Sequence, residues 1–253
     1  MDELLNERSG SILKVQFNRP AKKNAMTGAM YTGLADLLTE ADKDDTINVV
    51  LLHGAGDSFC AGNDLDDFLK NPPQPGDSPQ SRLINALIKF SKPLVAAVHG
   101  LAIGGGVTML GHFDFVYAAE KTKFQIPFIN LALVPEFGSS FSLPRQIGYL
   151  QAAELILLGT PFTAARASEL GLVTAVVPDA DFLAKATETA QTLAQKPLAA
   201  LKASKELMKR PMRPQLEEAV NREMEVFAVC VRSPETKQAI SAFFQKRTHA
   251  NVG

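Results

Sequence analysis

Three adjacent glycines, Gly104 to Gly106, stand between two apolar stretches of the chain. The stretch before them, residues 93–98, is rich in valine and begins with a proline, which is typical of a buried strand. Backbone N–H groups in a glycine run have no Cβ beside them, and the positive end of a following helix adds to their attraction for an anion. The run predicts a site for a phosphate or for an oxyanion that develops during a reaction. Close packing of a helix on a strand explains the glycines equally well.

The glycine run does not match the common phosphate-binding motifs. From Gly100 to Gly106 the spacing is G-x-x-x-G-G-G, which lacks the G-x-G-x-x-G pattern of dinucleotide sites. No lysine follows at the place that a P-loop requires. The rest of the chain must therefore decide between the two interpretations.

A second loop punctuated by glycines, residues 54–65, follows another apolar run at 47–52. Ligands in α/β proteins bind beyond the carboxyl ends of parallel strands. If the strands at 47–52 and 93–98 are parallel, this loop and residues 100–106 leave the same edge of the sheet. The two loops together are then the predicted binding edge.

One carboxylate stands out because of its surroundings. Glu136 is the only acidic residue between Glu120 and Glu154, and its neighbours are apolar or small. The usual fate of a glutamate is to lie solvated on a loop. An apolar environment would instead raise the pKa of the carboxyl, which suits a base that takes up a proton and returns it. We therefore interpret Glu136 as a candidate general base.

Composition excludes several classes of function. The formal net charge of −1 over 253 residues offers no basis for binding nucleic acid or an anionic membrane. Two cysteines, Cys60 and Cys230, indicate a reducing compartment rather than a disulfide framework, and the four histidines show no metal-ligand spacing. No apolar run approaches the length of a membrane span and the N-terminal residues are polar, so we expect a soluble cytoplasmic protein without a metal site.

The elements that position these residues follow from hydrophobic periodicity. Strands are predicted at 11–17, 47–52, 93–98, 114–118 and 172–177, helices at 27–42 and 79–90, a helix from 147 that ends at Gly159, and helices at 163–170, 182–194, 199–208, 216–231 and 235–244. Residues 71–79 hold four prolines and one glycine and predict a mobile surface loop. The pattern divides the chain into an α/β core, 1–195, and a helical region, 196–253. The apolar stripe of 216–231 must be covered by this core or by another subunit.

Two segments resemble a known family. Residues 57–65 (DSFCAGNDL) and 92–106 (KPLVAAVHGLAIGGG) closely resemble the crotonase superfamily, the enoyl-CoA hydratase/isomerase family, and the resemblance continues through 114–119 and 171–178. It implies a repeated ββα spiral with C-terminal helices that build a homotrimer or a hexamer. It also implies an acyl-CoA thioester as substrate, with coenzyme A as part of that substrate and no separate cofactor.

The resemblance further implies an oxyanion hole made of two backbone N–H groups, those of Asn63 and Gly105. One donor lies in each glycine loop, in agreement with the interpretation from the residues alone. Each preorganised donor is worth on the order of 3 kcal/mol to the transition state. Relatives often have alanine at the position of Asn63, but a backbone donor depends little on its side chain.

The identity of the acids and bases decides which reaction the oxyanion hole serves. Hydratases of the family use two carboxylates, and their positions align with Thr108 and Phe128 here, so hydration is not expected. Residues 133–140 (LVPEFGSS) resemble the Δ3,Δ2-enoyl-CoA isomerase branch, in which the glutamate, Glu136 here, is the sole base. One carboxylate suffices to take a proton from C2 and return it to C4. The expected reaction is the conversion of 3-enoyl-CoA to 2-trans-enoyl-CoA in fatty acid β-oxidation.

The resemblance also suggests residues that contact the substrate. Segments that line the CoA site in relatives contain Ala25, Ala61, Asp64 and Leu65. Apolar residues that would wall an acyl tunnel, or belong to the core, are Phe68, Leu101, Phe128 and Phe137. Basic residues that would meet the CoA phosphates, or lie solvated, are Lys22, Lys23, Lys246 and Arg247. Residues expected to have structural roles are Asp64, Asp66 and Asp67 as helix caps and Cys60, His99 and His112. Other enolate chemistry, such as thioester hydrolysis or weak hydration, and non-catalytic acyl-CoA binding remain alternatives.

Overall fold

The computed structural model describes residues 2–72, 76 and 78–250, with side chains through residue 245. The strands are β1 (Leu4–Ser9), β2 (Ile12–Phe17), β3 (Val49–Gly54), β4 (Leu94–Val98), β5 (Leu101–Ile103), β6 (Phe115–Ala119), β7 (Lys123–Gln125), β8 (Phe162–Thr163) and β9 (Ala175–Val177). The α-helices are α1 (Gly28–Lys43), α2 (Leu65–Lys70), α3 (Pro79–Lys89), α4 (Gly105–Thr108), α5 (Ser139–Ile147), α6 (Tyr149–Leu158), α7 (Ala164–Glu169), α8 (Phe182–Ala194), α9 (Leu198–Lys209), α10 (Arg213–Val231) and α11 (Pro234–Ala250).

The main sheet has the strand order β1-β2-β3-β4-β6-β9. All neighbours pair in parallel except β1 and β2, which are antiparallel. Because β3 and β4 are parallel, with Val50 opposite Leu94, the two glycine loops that follow them leave the same edge of the sheet. This confirms the expected geometry of the binding edge.

Both faces of the main sheet are buried. Val50 and Leu52 of β3 belong to the large core that includes α1 and α3, whereas Val49 and Leu51 face a smaller core. That smaller core is closed by Ala186 and Ala190 of α8. Alternate residues of a strand point to opposite faces, so burial on both sides explains the continuous apolar runs in the sequence.

A small second sheet, of order β5-β7-β8, was not expected from the sequence. β5 and β7 pair in parallel, with Ala102 opposite Phe124, and β7 pairs antiparallel with β8. Each of these strands has only two or three residues, which is too short for a periodic pattern. β5 lies within the segment that contains the glycine run and fixes its direction.

Three further differences correct the sequence prediction. β1, which precedes the expected first strand, was missed because it is a mostly exposed edge strand without an apolar face. The helix expected from residue 147 to Gly159 is α6, but a separate helix, α5, precedes it and was missed, and Gly148, with φ 82°, lies between the two. The helix after the glycines is a single turn, α4, that continues as a 3₁₀ helix at Met109–His112, so little macrodipole develops there. Of the loop 71–79, residues 73–75 and 77 lie outside the described residues.

The C-terminal helices pack on the core of their own chain. Lys205 on α9 is buried and its ammonium donates to the Lys92 carbonyl at 2.6 Å and to Asp114 Oδ2 at 2.7 Å. On α10, Val220 and Phe227 are buried in the large core. The apolar stripe of α10 is therefore covered in part by the same chain, and its packing on a neighbouring subunit stays a prediction. Within the described part of the chain, no helix is long and apolar enough to cross a membrane.

Candidate active site

The two glycine loops are held together by backbone contacts. Cys60 N donates to the Leu101 carbonyl at 3.0 Å, and Ile103 N donates to the Cys60 carbonyl at 2.9 Å. Gly62 has φ 82°, and a Cβ at this position would lie 2.8 Å from the Ile103 oxygen and 3.8 Å from the Gly105 nitrogen. The sequence needs glycine here because the loop after β3 lies directly against β5.

The glycines of the run have different surroundings, and one of them confirms the close packing that the sequence left open. A Cβ on Gly106 would lie 2.5 Å from the Cys60 carbonyl oxygen, so this glycine allows close packing of two backbones. A Cβ on Gly105 would lie 2.8 Å from Oε1 of Glu136, so the middle glycine brings the backbone against a carboxyl group. Close packing of two backbones and proximity to the Glu136 carboxyl are therefore properties of different glycines.

Asn63 and Gly105 line a cavity of about 410 Å³. Hydrogen bonds fix the chain on both sides of Asn63, since Met26 N donates to the Gly62 carbonyl at 2.7 Å and Asp64 N donates to the Met26 carbonyl at 2.9 Å. Among the described residues, neither the Asn63 N–H nor the Gly105 N–H has a hydrogen-bond acceptor. Two unpaired donors at one cavity can stabilise charge on a carbonyl oxygen.

Glu136 is buried beside these donors rather than solvated. Its Oε1 accepts a hydrogen bond from Asn63 Nδ2 at 3.3 Å, and Asn63 Oδ1 accepts one from the Tyr31 hydroxyl at 2.8 Å. Burial and the nearby charge of Glu223 raise the pKa of Glu136 to about 8, while the Asn63 bond lowers it. Burial likewise holds the pKa of Tyr31 well above its ordinary value, so Tyr31 is a neutral donor.

The loop that carries Glu136 has an unusual backbone. Phe137, with φ 63°, and Gly138, with φ 70°, both adopt the left-handed conformation, which costs a residue other than glycine of order 1–3 kcal/mol. The buried His112 compensates by donating from Nε2 to the Phe137 carbonyl at 2.9 Å. Burial is the largest cause that lowers the pKa of His112, to about 4, and the charge of Lys209 adds to it. The ring is therefore neutral. His112 therefore has the structural role that was expected.

The remaining expected contact residues fall into two groups. Those that line the 410 Å³ cavity are Ala25, Ala61, Asp64, Leu65, Phe68, Leu101 and Phe128. Phe137 lies outside it, because its ring stacks on Tyr31 with 6.4 Å between centroids and lines a small cavity of about 20 Å³ together with Glu136. Lys22 and Lys23 border the main cavity and pair with Asp66 and Asp57, respectively. The side chains of Lys246 and Arg247 lie outside the described residues.

The structure bears on two further structural expectations, those for Asp64 and Cys60. Asp64 caps α2, since its Oδ1 accepts from Asp66 N at 3.0 Å and from Asp67 N at 3.1 Å, and Arg19 pairs with Oδ2 at 3.0 Å. Cys60 is fully buried, and this burial raises the pKa of its thiol to about 12, so a nucleophilic thiolate is not favoured. The described residues contain no cluster of three or more potential metal-ligating side chains.

Several residues of the site were missed. Gln125, Pro127, Leu131, Leu133, Phe243 and Phe244 also line the main cavity. Tyr31 was missed because it falls on the apolar face of α1 and resembles any core residue. Glu223 carried a signal that was not used, since it falls three residues after Val220 and four before Phe227, on the buried face of α10.

Comparisons with known proteins show the family of this chain. The enoyl-CoA hydratase/isomerase family model matches residues 7–251. The chain is 39% identical to "Enoyl-CoA delta isomerase 2" of Rattus norvegicus over 87% of its own length but spans only 57% of that relative, and it spans 62% of the human protein of the same name. It is 38% identical to "Enoyl-CoA hydratase EchA19" of Mycobacterium tuberculosis, with 97% of this chain and 94% of that protein covered.

A solved structure extends the similarity to the whole fold. The structure of Pseudomonas aeruginosa OdaA is 41% identical in sequence and superposes with a TM-score of 0.94, covering 96% of this chain and 99% of that one. The relatives that match this chain in sequence thus have names that include both isomerases and hydratases. On these grounds the chain belongs to the enoyl-CoA hydratase/isomerase family.

Proposed function

We propose that this family member is an acyl-CoA isomerase that converts 3-enoyl-CoA to 2-trans-enoyl-CoA within fatty acid β-oxidation. One observation carries the proposal: the buried carboxyl of Glu136 borders Gly105 and accepts a hydrogen bond from the side chain of Asn63. The two positions that align with the carboxylates of hydratases hold Thr108 and Phe128. Isomerisation needs one base and no activated water. Of the three positions 108, 128 and 136, only 136 has a carboxylate.

In the proposed reaction the thioester oxygen accepts hydrogen bonds from the N–H groups of Asn63 and Gly105. The Glu136 carboxylate removes a proton from C2, and the electron pair of the C–H bond delocalises onto the thioester oxygen and C4 as a dienolate. The same carboxyl then protonates C4, which leaves the double bond between C2 and C3. Each donor is worth on the order of 3 kcal/mol when it meets charge that develops on the oxygen.

The environment of Glu136 suits this double role. A carboxyl with a pKa of about 8 is a stronger base toward C2 than an ordinary glutamate, and as an acid it still releases its proton to C4. The hydrogen bond from Asn63 Nδ2 fixes one carboxyl oxygen. In the proposed reaction the backbone N–H of Asn63 thus binds the thioester oxygen, and the side chain of Asn63 holds the base.

The test follows the absorbance of the conjugated product when the protein is given a 3-enoyl-CoA. We expect Glu136→Gln to lose at least 100-fold in kcat, because removing a general base typically costs 10²–10⁴, while acyl-CoA still binds. Glu225→Gln, at an exposed position on α10, is the control and keeps full activity. Full activity of Glu136→Gln would contradict the assignment of the base.

Hydration is the second candidate, because the relative EchA19 is named an enoyl-CoA hydratase. Crotonyl-CoA hydration is therefore measured beside isomerisation. Our proposal expects isomerisation to exceed hydration by a wide margin. A protein that binds acyl-CoA but leaves the C2 protons unexchanged in heavy water would instead be a non-catalytic binder.

We also propose that the protein assembles as a homotrimer or as a pair of trimers. Leu207 and Met208 of α9 are 72% and 68% exposed, and Leu150 of α6 is 80% exposed. Apolar side chains of this size on helices of the C-terminal half suit burial between copies of the chain.

A further inference from the structure

Glu223 on α10 binds the loop that carries the proposed base. The side chain is buried, with 6% of its surface exposed. Its Oε2 accepts a hydrogen bond from Gly138 N at 2.7 Å, and its Oε1 accepts one from Ser140 N at 2.8 Å. Because both oxygens accept from N–H groups, the geometry is that of a carboxylate.

The rest of the same helix face supports the same loop. A Cβ on Gly138 would lie 2.3 Å from Leu216 Cδ1 and 3.1 Å from Val220 Cγ2, so α10 packs directly against this glycine. Together with Glu223, these side chains form a continuous contact along two turns of the helix. The loop is therefore fixed by α10 and not only by its own turn.

The loop needs such a support because its backbone is strained. Phe137 and Gly138 are left-handed, and within the loop the Glu136 carbonyl accepts hydrogen bonds from the Ser139 hydroxyl at 2.7 Å and from its N–H at 3.2 Å. The side chains of Glu136 and Glu223 line the same small cavity. The side chain that supports the loop from α10, Glu223, is thus a second carboxyl group near that of Glu136.

We propose that Glu223 is a positioning residue of this site, which holds the loop of Glu136 in place from α10 and sets the charge environment of the Glu136 carboxyl. This inference rests on the proposed function of Glu136. A neutral side chain would spare the protein the desolvation of a buried charge, so the choice of a carboxylate calls for a reason. The first-turn N–H groups of α5 stabilise the negative charge of Glu223, and that charge in turn disfavours ionisation of Glu136.

The other titratable groups around Glu136 do not change charge in the same pH range. Tyr31 from α1 and Cys60 from the loop after β3 have pKa values raised by burial, that of Cys60 to about 12. His112, which holds the Phe137 carbonyl, has a pKa lowered to about 4. Burial raises the pKa of Glu223 itself to about 7. Between pH 6 and 9 the charge that acts on Glu136 is therefore mainly that of Glu223.

Two variants separate position from charge. Glu223→Gln keeps the shape but removes the charge and places an NH₂ group against an N–H donor, whereas Glu223→Asp keeps the charge but is one methylene too short to reach both donors. We expect Glu223→Gln to lower kcat about tenfold, to leave KM within twofold, and to move the acid limb of kcat/KM to lower pH. Glu223→Asp lowers kcat with the limb unmoved. Glu225→Gln, on the exposed side of α10 and paired with Arg222, is the matched control.

If Glu223 had a purely structural role, all Glu223 variants would have equally lowered thermal midpoints, and the acid limb of kcat/KM would stay at the same pH in the folded enzyme. This result would overturn the inference. The titration of the Glu136 carboxyl carbon by NMR in glutamate-labelled protein, assigned with Glu136→Gln, gives a readout that needs no turnover. An inactive wild-type protein would reject the proposed function alone. An unchanged Glu136 titration in Glu223→Gln would reject the inference alone.

Discussion

At the scale of single residues, the side chain of Asn63 is the most instructive. Its backbone N–H is a proposed donor to the thioester, and its amide joins Tyr31 to Glu136. The donors of an oxyanion hole of this kind are backbone N–H groups, so the hole itself needs no particular side chain at a donor position. Here the amide also stabilises the charged form of the base, and therefore opposes the effect of Glu223 on the same carboxyl.

We expect Asn63→Ala to keep the backbone donor and to lose the hydrogen bond to Glu136. Since that bond lowers the pKa of the carboxyl, its loss raises the pKa and moves the acid limb of kcat/KM to higher pH, opposite to Glu223→Gln. The Tyr31 hydroxyl also loses its acceptor, which costs about 1–3 kcal/mol of stability. Rates measured from pH 6 to 9 test the direction, and a limb that moves down would contradict it.

The sequence pointed to the residues of the proposed site more directly than to the residues that hold them in place. Glu136 stood out as a lone acid in an apolar segment, and Asn63 and Gly105 lay in two loops on one sheet edge. Tyr31 and Glu223 act on partners 32 and 85 residues away, so no local spacing marks them. Catalytic residue types are recognisable from local chemistry, whereas the contacts that orient them depend on the tertiary structure.

At the scale of elements, the loop after β4 shows that neighbouring glycines differ in their constraints. A Cβ on Gly105 would meet a carboxyl group at the end of a side chain, which can move away. A Cβ on Gly106 would meet the Cys60 carbonyl, which belongs to the bridge between the two loops and cannot move without breaking it.

We therefore expect Gly105→Ala to fold with a thermal midpoint near that of the wild type but to lose activity, because the methyl group displaces the Glu136 carboxyl. Gly106→Ala is the matched comparison, with the same change one residue later, and we expect it to lower the midpoint clearly. Calorimetry and isomerase rates on both variants check this pair. If the two variants lost activity equally and had equal thermal midpoints, the two glycines would not differ in their constraints.

The burial and length of each element explain whether the sequence could predict it. Strands buried on both faces, such as β3 and β4, appear as uninterrupted apolar runs. β1 has no buried face, and β5, β7 and β8 are too short to show a period. The break between α5 and α6 depends on the backbone of Gly148, and a lone glycine in an apolar helical pattern does not reveal whether the helix continues.

At the scale of the whole molecule, the C-terminal helices are tied to the core by α9 and α10 but leave an apolar surface exposed. We expect Leu207→Glu to reduce the assembled mass measured by light scattering, because it places a charge where the proposed interface requires apolar contact. Leu5→Glu on the edge strand β1, at a residue that is 39% exposed, is the control and leaves the mass unchanged. A wild-type protein that is monomeric at micromolar concentration would contradict the proposed assembly.

The long separation between Gly138 and Glu223 has a consequence for biosynthesis. During translation the spiral emerges from the ribosome well before α10, so the newly made loop at 136–140 lacks the carboxylate that accepts its N–H groups. A polypeptide released or cleaved within α9 would retain both glycine loops and Glu136 itself. It would nonetheless lack Glu223, so the loop at 136–140 would have no partner for the N–H groups of Gly138 and Ser140.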